Sequence, residues 1–258
     1  MSGRTSSRSE PATTASTPRV ATVRERLDRV MDPELDRSIV ELEYVDRVRV
    51  DDGAVEVAFT LPTAWCSPAF AWMMATDARD EVAALAETES VTVRLRDHMH
   101  AEGINRGVNE RESFDAVFPD ADDGVREVRA MLDEKARFAR QHDAVEACLG
   151  AGVAPEQIVA LCRDDVELTD GTAVVAVNDI NVTVDREPVA EYLRRARASG
   201  RVTDPDDRLF LNVDGEPIAV DRFETVHKRT RLAGVNMGGQ GAVCDALNES
   251  RRAKLDRD

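Results

Sequence analysis

Residues 44–96 read YVDRVRVDDGAVEVAFTLPTAWCSPAFAWMMATDARDEVAALAETESVTVRLR, and the order of elements written there decides the fold of the first part of the chain. Tyr44 to Val50 and Ala54 to Leu61 alternate in strand fashion. Asp51-Asp52-Gly53 between them is a tight-turn signal, so the two runs pair as a hairpin. Ser67-Pro68 has the form of an N-cap followed by proline at the first helical position, and the apolar run behind it predicts a helix to about Leu85. Val91 to Leu95 alternates with Thr92, Arg94 and Arg96 and predicts a third strand.

Upstream, Val23, Leu27, Val30 and Met31 recur at helical spacing, and Asp32-Pro33 stops that helix. Residues 1–19 are Ser, Thr, Arg and Pro with almost no apolar content, a disordered tail. Residues 20–97 therefore form a small helix–hairpin–helix–strand domain of the α+β class. Residues 98–124 are polar, with Gly103, Gly107, Pro119 and the acidic Asp120, Asp122 and Asp123, and read as a connector. Residues 125–258 predict a second, mostly helical α+β unit. It opens with a long helix from Val125 to Leu149, ended by Gly150 and Gly152, and a short helix from Pro155. A hairpin over Val166 to Val177, a helix over Val189 to Ala198 and a strand over Leu209 to Val213 follow. Val220 to Leu232 and Ala242 to Leu255 read as two helices. The stretch GVNMGGQGAV from Gly234 joins them as a loop; it lacks the lysine of a phosphate-binding loop and follows no strand.

The chain has 258 residues, 34 Lys plus Arg against 50 Asp plus Glu, and a net charge of -16. Lys135, Lys228 and Lys254 are its only lysines. Acidic excess with arginine in place of lysine resembles the bias of extreme halophiles, where carboxylates keep proteins soluble in concentrated salt. The same charge argues against a whole-chain nucleic-acid binder, which needs a basic face. No run has the length of a membrane span, and the N-terminus lacks the order of a secretory signal. The four cysteines, Cys66, Cys148, Cys162 and Cys244, form no CxxC pair. A soluble cytoplasmic protein with reduced thiols is expected.

One constellation carries chemistry. Asp32-Pro33-Glu34 lies between the first helix and the hairpin, Thr60 ends the second strand, and Cys66 directly precedes the Ser67-Pro68 helix start. A thiol there feels the positive end of the helix dipole, which favours thiolate, the nucleophile and soft metal ligand. The plainer alternative is a small buried residue, as most free cysteines are. Cys148, Cys162 and Cys244 sit at apolar helix positions and read as core fillers. His98 and His100 stand two apart after the third strand and, with Glu102, offer an auxiliary metal site; the alternative is a polar loop with solvated histidines.

The pieces VMDPELDRSIVELEYVDRVRV, DDGAVEVAFTLPTAWC and VTVRLRD resemble the SufT/PaaD-like iron–sulfur assembly family over Val23 to Arg96. The resemblance implies a role in cluster assembly or metal delivery. It makes Cys66 the cluster-ligand position, with Asp32, Glu34 and Thr60 at the family's other characteristic positions. The family commonly has proline immediately after the cysteine; here Ser67 intervenes, and Trp65 precedes. The stretch RLRDHMHAEGINRGVNERESFDAVFP is similar to family members found with soluble di-iron monooxygenases. The C-terminal half is similar in layout to the catalytic domain of tyrosine recombinases, but Ala154-Pro155 stands near the first required arginine and no tyrosine follows Tyr192, so the covalent step is lost.

A single thiolate cannot hold a cluster, which needs about four ligands, so a cluster would be transient and shared with a partner or second subunit. The leading expectation is a non-enzymatic factor that matures a client metalloprotein, an oxygenase among the candidates, through Cys66. The second is a DNA-interacting regulator built on a dead recombinase-like half. The third is a thiol enzyme with Cys66 as nucleophile and His98 or His100 as base.

Overall fold

A computed structural model describes residues 18–121, 124–178 and 180–255. Residues 1–17 of the expected disordered tail, and Asp122 and Asp123 of the acidic run, lie outside the described residues.

The first part runs α1 (Val20–Leu27), a short antiparallel pair β1 (Met31–Asp32) and β2 (Arg37–Ser38), then β3 (Val45–Asp51), β4 (Ala54–Thr60), α2 (Pro68–Ala83) and β5 (Ser90–Arg96). The β3–β4 turn needs left-handed backbone, which Asp52 (φ 43°) and Gly53 (φ 82°) supply. β4 is the central strand, antiparallel to β3 and parallel to β5, so α2 is the crossover between β4 and β5. A central strand covered on both faces is apolar nearly throughout: Val55, Val57, Ala58 and Phe59 are all buried. Val57 pairs with Val93 and Phe59 with Leu95. Val23 and Leu27 of α1 and Ala71, Met74, Ala78 and Val82 of α2 complete this core. Each fully buried Val, Leu or Phe contributes about 1.5–3 kcal/mol.

Residues 98–124, read from sequence as a connector, carry α3 (Ala101–Glu110) and α4 (Phe114–Val117), and their Ile104, Val108 and Phe114 belong to the same core. α3 also closes the open edge of β5. The Asn105 carboxamide accepts from Leu95 N at 2.7 Å and donates to Leu95 O at 2.9 Å; Asn109 does the same at Val93, at 2.9 and 2.8 Å. An unpaired strand edge is thereby satisfied by two side chains one helical turn apart.

The second part consists of α5 (Val125–Gly150), α6 (Pro155–Ile158), the antiparallel sheet β6 (Val166–Leu168), β7 (Thr172–Val177), β8 (Ile180–Asp185), then α7 (Arg186–Ala198) and α8 (Phe223–Leu255). The molecule is thus mixed α+β, with a small sheet domain followed by a more helical part, as expected. Three details differ from the sequence reading. β8 was not foreseen, although Ile180, Val182 and Val184 alternate along it at strand period. Leu209–Val213 makes only an isolated bridge, Leu211 to Pro217. The glycine-rich stretch from Gly234 is helical, and α8 runs unbroken through it.

The two parts meet through buried charge. Asp36, left-handed at φ 52°, has a fully buried carboxylate. Arg140 of α5 donates to its Oδ2 at 2.7 Å and to its backbone oxygen at 2.8 Å; Arg194 of α7 donates at 2.9 Å, and Arg195 at closer range. Burial alone would raise the Asp36 carboxyl, but the charges and hydrogen bonds of these arginines bring it below its ordinary value. The end of α8 returns to the first domain: Asn248 donates to Leu42 O at 2.8 Å, Arg251 pairs with Asp46 at 3.3 Å and Arg37 with Asp245 at 2.8 Å.

Candidate functional site

Cys66 is half-buried in the turn between β4 and α2, packed against the edge of the first core. Thr63 shapes that turn: its hydroxyl accepts from Trp65 N at 3.1 Å and lies 3.7 Å from Cys66 Sγ. Ser67 is at the N-cap of α2 as expected, but its side chain makes no capping bond. Pro68, at the first helical position, has no N–H, and Ala71 N donates to Ser67 O at 3.0 Å, closing the first turn of the helix beside Cys66. Trp65 is 77% exposed and Met99, whose N–H donates to Ala64 O at 3.0 Å, is 55% exposed. Two large apolar side chains thus stand in solvent next to the thiol. A groove of about 530 Å³, lined by Pro68, His100, Val117 and Phe118, begins at the same helix start.

The expected partners are distributed unequally around the thiol. Asp32 is buried; its Oδ1 accepts from Glu34 N at 2.9 Å and Leu35 N at 3.1 Å, and Tyr44 OH donates to Oδ2 at 3.4 Å. Burial raises its carboxyl above the ordinary value, with these backbone bonds opposing. Glu34 is half-buried on the same turn. Thr60 is buried but directs its hydroxyl to Asp46 at 2.6 Å, the carboxylate that Arg251 also reaches. It serves the contact between β4, β3 and α8.

His98 is buried, and both ring nitrogens are engaged within the chain. Nε2 donates to the Cys66 carbonyl at 2.9 Å, and Nδ1 accepts from His100 N at 3.2 Å. Burial lowers its pKa, the Cys66 hydrogen bond opposes and neighbouring His100 adds to the lowering, all consistent with a neutral ring. This histidine braces the Cys66 backbone; it makes no hydrogen bond to Sγ, where a catalytic base would have to be. His100 is exposed, its ring edge-on to Phe118 at 5.5 Å. Among the described residues, His98, His100 and Glu102 do not bring their ligand atoms together as a metal-sized group, so the auxiliary site expected from them is not assembled.

The residue that sequence reasoning missed is Cys244. Read as a core filler, it is half-exposed on α8 and packs against the first domain's core beside Cys66. Burial, then the charges of Asp32, Cys66 and Glu34, push its thiol up to about 11. Tyr44 feels both thiols as well as Asp32. No local pattern signals this approach, because it depends on α8 crossing back over the first domain. Cys162 is likewise half-exposed, with Arg208 donating to its Sγ at 3.6 Å, whereas Cys148 is buried as expected and its thiol is pushed up to about 11 by burial.

Cys66 thus stands half-buried at a helix start, with Tyr44 and Cys244 within electrostatic reach of its thiol. Residues 20–95, under a third of the chain, match the family model described as iron-sulfur cluster assembly protein. A general role in iron–sulfur cluster assembly goes with it. Comparison with curated proteins and with solved structures returns no match.

Proposed function

We propose that the protein is a non-enzymatic carrier that receives an iron–sulfur cluster, or its iron, on Cys66 and passes it to a client metalloprotein, an oxygenase being one candidate. The observation that carries this reading is Cys66 at the start of α2, with Cys244 packed against the same core within its electrostatic reach, in a segment that matches the assembly family. Two thiols supply half of the roughly four ligands a cluster needs, so the rest come from a second copy, a client or a small thiol. Sharing of that kind suits release better than retention. The raised thiol of Cys244 has to lose its proton to ligate, which makes it the weaker and more easily surrendered ligand. Asp32 and Glu34 border the cluster position, Thr60 supports it through Asp46, and His98 positions the Cys66 loop. His100 stands exposed at its rim. Exposed Trp65 and Met99 form the surface on which a client approaches.

The test is anaerobic reconstitution with iron and sulfide on the intact protein, Cys66→Ala and Cys244→Ala. Cys66→Ala should lose bound iron and sulfide, and Cys244→Ala should hold a cluster that chelators strip faster. Equal uptake by the parent and Cys66→Ala would sink the proposal.

A further inference from the structure

The helices α5 and α8 meet at a second group of ligand-type side chains that takes no part in the Cys66 site. His142 and Glu146 are one helical turn apart on α5, and His227 faces them from the first part of α8. The ligand atoms of the three lie within 4.8 Å of one another. His227 Nε2 and Glu146 Oε1 are 2.6 Å apart, and the two imidazole rings are 4.7 Å apart at 30°. Phe223 stacks on His227 at 5.7 Å and walls off one side. The Nδ1 atoms of both His142 and His227 are buried with no hydrogen-bond partner. These are two of the five buried side-chain nitrogens and oxygens without a partner among the described residues, and they are the two that lie side by side, where each is costly.

We infer that His142, Glu146 and His227 bind one divalent transition-metal ion of the zinc and cobalt class. Two imidazoles and a carboxylate are the donor set that these borderline ions prefer, and three protein ligands leave a fourth position open to water. The i, i+4 spacing on α5 gives two ligands from one rigid helix, while α8 supplies the third. His142 also lines a groove of about 490 Å³ between α5, α8 and Leu35–Arg37, which gives an ion access from solvent. Asp143 and Glu146 place negative charge around His142, and Arg231 opposes them. Bound metal would fasten α8 to α5. The proposal does not depend on Cys66 carrying a cluster.

The experiment is cobalt(II) titration of the full chain carrying Cys66→Ser, which removes the principal thiolate competitor. One cobalt per chain should bind, with visible ligand-field bands and no thiolate-to-cobalt charge transfer, and zinc should displace it and raise the melting temperature. His142→Gln or His227→Gln in the same background should weaken binding by roughly 100-fold or more. Glu146 is largely exposed, so Glu146→Gln leaves folding intact and should also weaken binding, which keeps the test decisive if a histidine variant misfolds. Absence of a one-to-one site, thiolate charge transfer in the signal, or equal affinity in Glu146→Gln and its parent would overturn the inference.

Discussion

Replacing Asp36 by asparagine keeps its volume but removes the one anion that Arg140, Arg194 and Arg195 share. Removing one partner of a buried ion cluster costs about 3–5 kcal/mol, because the remaining charges stay desolvated. Here the side chains of Arg140 and Arg194 are 27% and 36% exposed, so water can recover part of their solvation. Arg195 is 7% exposed but keeps Asp133 at 2.8 Å. The loss should therefore fall at the lower end, about 3 kcal/mol, or a shift of roughly 1 M in the urea midpoint. Trp72 is buried in the first core, so its fluorescence follows that core, while far-UV circular dichroism reports strongly on the helices of the second part. The pH dependence supplies an internal control. The folded Asp36 carboxyl lies below its unfolded value near 3.9, so its contribution is complete above that pH and disappears as pH falls through the folded value. The gap between parent and variant should be constant from about pH 5 to 8 and close below about pH 4. A gap under about 1 kcal/mol at neutral pH, or one that widens on acidification, would refute the reasoning.

Other outcomes follow from single residues. A Cβ on Gly107 would stand 2.6 Å from both Trp72 and Val117 side chains, so Gly107→Ala should destabilise by about 1–2 kcal/mol despite gaining up to ~1 kcal/mol of helix propensity; an unchanged melting temperature would show that α3 does not pack as described. The depressed His98 is neutral in the fold, so its contribution is present above its unfolded value near 6.5 and is lost as pH falls from there towards the folded value. The protection factors of the Cys66 and Met99 amides should fall over that window, and much less in His98→Gln. Trp65→Ala should leave stability within about 0.5 kcal/mol but slow cluster transfer to an apo-ferredoxin acceptor; unchanged transfer rates would remove Trp65 from the client surface.

The first domain was legible because its signals are local. Period-two alternation marked β3, β4 and β5, left-handed Asp52 and Gly53 marked the turn, and Ser67-Pro68 marked the start of α2. Cys66 could be singled out from the same local logic. α3 was less visible, since its role rests on Asn105 and Asn109 reaching the backbone of β5, a tertiary use of polar residues that periodicity reads as loop. α8 escaped for a different reason. Its glycines favour a break, yet Gly238 and Gly239 face open space, and the helix is held by residues on either side of them, Val226 and Thr230 before and Asn248 and Arg251 after. Cys244 and His227 acquire their neighbours only through that long helix, so neither the second thiol nor the histidine pair could be anticipated from spacing.

The central claim, that Cys66 is the residue on which the cluster sits, is tested most directly by alkylation of the thiols before and after anaerobic reconstitution, read by mass spectrometry. Cys162, half-exposed on the second part of the chain, serves as the reference thiol. The account predicts that loading protects Cys66, and Cys244 to a lesser degree, while Cys162 reacts equally in both states. Cys66 alkylated as fast in the loaded protein as in the unloaded one would contradict it.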